Sequence, residues 1–117
     1  MKVENTKAQM RKGVLEYCIL SVLAQGELYP SDIIVKLKEA KLIVVEGTLY
    51  PLLRRLEGQG LLRSEWLVTE DRPRRYYTLS TGGSDVLEKL VKEWQDLVGV
   101  VANVLPQGDL GKESKDK

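Results

Sequence analysis

Three arginines within four positions, Arg72, Arg74 and Arg75, are the side chains of this 117-residue sequence best suited to chemistry. Arg54 joins them from a stretch that also carries Thr48, Tyr50 and Pro51. The chemistry they suit is recognition of anions and base edges, because a guanidinium grips phosphate in a fixed fork and can also read guanine. Catalysis is poorly served. There is no histidine, which removes imidazole acid–base chemistry, His metal ligands and Ser-His triads at once. Cys18 is the single cysteine, so neither an intrachain disulfide nor a Cys cluster for zinc can form. Its setting, Glu-Tyr-Cys-Ile-Leu, reads as the buried side of a helix, where a thiol behaves as a small hydrophobe. With no paired-carboxylate cleft evident, the sequence predicts no enzyme, no metal and no cofactor.

The stretch from Gly47 to Gly60 must position Arg54. Leu49, Leu52, Leu53 and Leu56 recur at helical spacing, while Gly47, Tyr50, Pro51, Arg54 and Gly58 fall opposite. One face anchors and the other is free to touch a partner. Pro51 lacks an amide donor and disfavours a helical Tyr50, so the first turn should loosen or bend. Upstream, Met10, Val14, Leu15, Cys18, Ile19, Val22 and Leu23 predict a helix over about 6–25, ended by Gly26. Pro30 or Ser31 starts a second helix with Ile33, Ile34, Leu37 and Ala40 inward. Leu42 to Val45 is a linker or a first small strand.

Downstream, Leu61 to Val68 and Tyr76 to Leu79 read as two strands of a hairpin, with turn chemistry in Thr69-Glu70-Asp71-Arg72-Pro73. The arginines then lie at its tip and returning strand. Ser80, Thr81 or Ser84 begins a last helix. From Val86 to Leu105 the apolar residues Leu87, Leu90, Val91, Trp94, Leu97, Val98 and Val101 hold a helical period for roughly five turns. Such a stripe exceeds what a small core covers, and a second copy of the chain is the commonest cover. Two crossing copies would bring their Trp94 side chains together, walling a cavity for a flat apolar ligand.

Helix, helix, helix, hairpin predicts a mainly α fold: a winged helix-turn-helix with a long C-terminal dimerisation helix. Residues 1–105 form this domain, 81–105 its dimerisation helix, and 106–117 a polar disordered tail. The helix near 47–59 would enter the major groove of double-stranded DNA, and the wing near 69–76 would meet phosphate or the minor groove. Thr48, Tyr50, Pro51, Arg54, Arg72, Arg74 and Arg75 are the expected DNA contacts. Net charge is only +1, so clustering must carry this expectation; near neutrality favours the competing reading, a winged helix that binds protein instead. The N-terminus lacks a signal-peptide pattern and no apolar run approaches a membrane span, so a cytoplasmic protein without membrane association is expected.

Gly47-Thr-Leu-Tyr-Pro-Leu-Leu-Arg-Arg-Leu-Glu, then Gly60-Leu-Leu, Arg74-Arg-Tyr-Tyr-Thr-Leu-Ser and Gly83, resemble the PadR family of bacterial transcriptional regulators, in its smaller, single-C-terminal-helix form. The resemblance implies a homodimeric repressor on palindromic operator DNA, released by an effector, often a phenolic or planar toxic compound. It puts Thr48, Tyr50, Pro51 and Arg54 on the recognition helix and Arg74 and Arg75 on the wing. Trp94 matches a tryptophan that stacks on drugs in an inter-subunit pore of multidrug-binding members. Around it this sequence has Tyr17, Leu90 and Val98 where small or polar residues are expected, which narrows that pore.

Overall fold

Leucine and isoleucine at helical spacing place the core where three helices meet the base of a hairpin. In the computed structural model, residues 1–69 and 72–106 are described. The elements are α1 (Val3–Leu23), α2 (Pro30–Glu39), α3 (Glu46–Gly58), β1 (Leu62–Thr69), β2 (Arg72–Leu79) and α4 (Thr81–Val104). Contacts divide the chain into one unit from Met1 to Leu87 and a second from Glu88 onward. The first holds the core: Leu15, Ile19, Leu20 and Leu23 of α1 meet Ile33 and Leu37 of α2, Leu49, Leu53 and Leu56 of α3, and Leu62 and Tyr77 of the hairpin. The mainly α winged helix-turn-helix expected from the sequence is the fold observed.

The turn between α2 and α3 is set by its cap. Lys41 adopts φ +70, its N–H meets the Lys38 carbonyl (2.8 Å), and the Leu42 N–H reaches back to Leu37 (2.9 Å). This is the Schellman arrangement that usually carries glycine. The end of α3 repeats it with glycine in place: Gly60 at φ +81, its N–H on Glu57 (2.9 Å), and the Leu61 N–H on Leu56 (3.0 Å). Leu42 to Val45 contains no strand. The third strand position falls instead to Leu28, which exchanges backbone hydrogen bonds with Tyr77 (3.0 and 2.8 Å). At the start of α2 the open choice resolves to Pro30 in the first turn. Asp32 Oδ2 accepts from the Tyr29 N–H (3.2 Å), and Ser31 is not the cap.

β1 and β2 pair from Leu62↔Leu79 to Thr69↔Arg72, so only Glu70 and Asp71, outside the described residues, lie between the strands. Thr69, Arg72 and Pro73 of the expected five-residue turn are thus strand residues, with Pro73 opposite Val68. Only β1 neighbours β2 there, a place where a missing donor is tolerated. Ser80 caps α4: its Oγ accepts from the Gly83 N–H (2.9 Å) and donates to the Gly60 carbonyl (2.7 Å). Gly83 packs directly on the α3 cap, where a methyl group would collide with the Leu61 carbonyl and lie 2.8 Å from Leu79 Cδ1. α4 ends at Val104, before Pro106. The tail from Gln107 lies outside the described residues.

In the second unit the apolar stripe of α4 is uncovered within one chain. Trp94 is 47% exposed and Leu97 53%, with Val91, Val98 and Val101 similarly open. Leu87 and Leu90 are half-buried. No described helix is long and apolar enough to cross a membrane.

Candidate nucleic-acid interface

α3 turns its leucines inward and so commits its other side chains to the surface. Leu49, Leu53 and Leu56 are fully buried, while Thr48, Tyr50, Pro51 and Arg54 are exposed. The helix runs unbroken through Pro51, so the loosened first turn expected there is not seen. The ring still removes the donor that would meet the Gly47 carbonyl.

The exposed residues do not share one surface. Tyr50 and Arg54 open onto a groove of about 430 Å³, bounded by the start of α2 and by the hairpin, where Ser31, Trp66, Arg74 and Arg75 complete it. Thr48 and Pro51 lie on the flank turned toward α1. They line a larger groove of about 1000 Å³ with Leu15, Val44 and Leu52. The seven expected contacts therefore divide: Tyr50, Arg54, Arg74 and Arg75 are brought together, and Thr48 and Pro51 stand apart. Arg72 opens β2, and its side chain lies outside the described residues.

The arginines differ in what holds them. The Arg74 guanidinium carbon sits 3.6 Å from the centre of the Tyr29 ring, which in turn meets Tyr76 edge-on at 6.2 Å. Stacking uses the flat face of the guanidinium and leaves the N–H groups of its rim for an anion. Arg75 is engaged by its edge: Nε donates to Ser64 Oγ (2.9 Å) and Nη2 to Glu57 Oε1 (3.4 Å). Arg55 pairs with Glu16 of α1. Among the described residues, Arg54 and Arg74 form no ion pair, so their charge is the least compensated in the groove.

Two tyrosines of the wing hold their hydroxyl protons more firmly than free tyrosine does. Burial pushes the Tyr77 hydroxyl above its ordinary range, with Arg75 opposing in part. A hydrogen bond to Glu65 (2.7 Å) does the same for Tyr76. Cys18 is half-buried, and burial raises its thiol above the usual value, as the apolar reading of its setting requires.

Tyr29, Ser31 and Trp66 line the groove, and Glu57 reaches it only through Arg75; none of the four was legible as such. Pro30 marks a helix start, but nothing in the sequence says that this start faces α3. Trp66 reads as a strand residue, and Glu57 as a solvated charge. Of the residues tied to an effector, Tyr17 is half-buried on α1, while Leu90, Trp94 and Val98 follow one another at four-residue steps on α4.

Residues 19–89 match the Transcriptional regulator PadR-like family. A PadR-like transcription factor from Bacteroides fragilis is similar in structure, with TM-score 0.74 and 51% identity, covering 86% of this chain and 99% of that one. A PadR family transcriptional regulator from Eggerthella lenta gives TM-score 0.85 at 34% identity, over 91% and 94% of the two chains. The transcriptional regulator Rv3488 of Mycobacterium tuberculosis is 34% identical over 79 residues, 68% of this chain and 74% of its own.

Proposed function

The chain belongs to the PadR-like family of transcriptional regulators, and on that premise we propose that it is a homodimeric repressor that occupies palindromic operator DNA. Membership of a family of regulators rather than enzymes makes DNA the partner. The observation that supports this site for it is the convergence of Tyr50 and Arg54 of α3, Ser31 of α2 and Arg74 of the wing on one groove. In this reading α3 lies in the major groove. Arg54 reads a base edge, Tyr50 contributes its hydroxyl and ring, and Arg74 grips phosphate. Thr48 and Pro51 meet the backbone at the rim of the site, and Arg72 adds to the field of the wing. The protein acts in the cytoplasm, with the DNA.

Duplication supplies what one module lacks. An uncovered stripe of Val91, Trp94, Leu97, Val98 and Val101 calls for an apolar partner, and a second α4 satisfies it symmetrically. Two recognition helices then address half-sites about one helical turn apart, or a multiple of it. A planar aromatic effector that stacks on Trp94, beside Leu90 and Val98 on the same helix, would shift the spacing of the half-site readers and release the operator. The test is selection of bound fragments from the host genome. Recovery of a two-fold symmetric sequence upstream of a gene supports the reading, and no enrichment over random fragments contradicts it.

A further inference from the structure

We infer that Glu57, Ser64 and Arg75 form a clamp fixing the wing against α3, and that Arg75 serves DNA binding as a positioning residue rather than as a phosphate contact. The inference rests on the DNA-binding reading above. The three side chains close a triangle across three elements. From the last turn of α3, Glu57 accepts through Oε2 from Ser64 Oγ of β1 (2.6 Å) and through Oε1 from Arg75 Nη2 of β2 (3.4 Å). Arg75 Nε closes the figure on Ser64 Oγ (2.9 Å).

The hairpin register makes this possible. Ser64 lies opposite Tyr77 and Trp66 opposite Arg75, so with a two-residue period all four share one face of the wing. The Arg75 guanidinium carbon is consequently 5.6 Å from the Trp66 ring centre and 5.8 Å from that of Tyr77. Arg75 is held by its edge and by its flanks at once, and Glu57 sets a countercharge beside it. The ion pair is partly exposed, with side chains 40% and 29% accessible, so by itself it adds little stability. What it supplies is direction, since a carboxylate with both oxygens engaged and a guanidinium bonded by two nitrogens fix the angle between helix and hairpin. Arg74, one residue earlier on the opposite strand face, stays free for phosphate.

The clamp makes a prediction opposite in sign to simple electrostatics. Removing a carboxylate from a DNA-facing region should tighten binding if charge alone mattered. Affinity for the selected operator duplex, read by fluorescence anisotropy between about 50 and 200 mM salt, separates the two. Glu57→Gln is expected to weaken binding roughly tenfold with an unchanged salt slope, and Arg75→Ala to do the same. The double variant should lose little more than either single one. Ser64→Ala, which alters no charge, should weaken binding several-fold and keeps the test open should a charged variant melt. Tighter binding by Glu57→Gln, a salt slope lowered by about 1 in Arg75→Ala, or an unaffected Ser64→Ala overturns the clamp. Absence of salt-dependent binding by the unaltered protein overturns the DNA-binding reading instead, so the two failures are distinct.

Discussion

Arg54, Arg74 and Arg75 are the same residue type within one groove, yet their partners assign them different work. Arg75 is edge-bonded to Glu57 and Ser64, Arg74 is face-stacked on Tyr29, and Arg54 has no ion pair among the described residues. A guanidinium held by its face keeps all its donors for phosphate, whereas Arg75, held by its edge, has committed Nε and one Nη2 hydrogen and has a carboxylate beside it. Arg74→Ala should therefore weaken binding uniformly across sequences and lower the salt slope by about 1, measured on operator and random duplex alike. Clustering alone revealed that these arginines mattered. Only packing could separate them, because the separation depends on Tyr29 and Glu57, which lie 45 and 18 positions away in the sequence. Cys18 makes a residue-scale prediction of its own. With burial raising its thiol, the thiolate form is scarcer than in free cysteine at pH 8, so alkylation by iodoacetamide should be slower in the native than in the unfolded protein.

The elements were read from period and punctuation, and most of their boundaries follow from capping. The Schellman ends of α2 and α3 set both the turn that orients α3 and the platform that receives α4. Lys41 occupies a left-handed position where Gly60 serves at the equivalent place. Lys41→Gly should stabilise the protein by about 0.5–1 kcal/mol, since relief of the left-handed penalty exceeds the added freedom of the unfolded chain. A rise of a few degrees in thermal midpoint would register it. Gly83→Ala should act the other way, costing about 2 kcal/mol or more as the new methyl meets the Leu61 carbonyl. Two expectations at this scale needed tertiary information. Leu42 to Val45 has strand-forming residues but no pairing edge, because β2 pairs with Leu28 there instead. Arg72 and Pro73 of the expected turn are drawn into the ladder opposite Thr69 and Val68, although Pro73 is a turn former by type.

At the scale of the whole molecule, the first unit completes its own core while the second leaves its apolar stripe open. That contrast underlies the proposal of a homodimer. Trp94→Glu or Leu97→Glu would put charge into the proposed seam and should shift the mass measured by light scattering from dimer to monomer. The same variants should leave the fold of the first unit unaltered by circular dichroism. The stripe was legible in the sequence as an excess of apolar residues over available core. Its proposed partner was not, because periodicity says which face needs cover and nothing about what covers it.

The central claim is that the groove between α3, the start of α2 and the wing holds DNA. It is tested most directly by titrating the selected operator with the unaltered protein and with Tyr50→Ala and Arg54→Ala, each first confirmed to keep the parent's oligomeric state. Both side chains are exposed and neither supports the core, so the variants should fold normally and lose about tenfold or more in affinity, with Arg54→Ala also relaxing preference at one base pair of each half-site. Affinity unchanged in both variants would contradict the account and move the interface to another face of the protein.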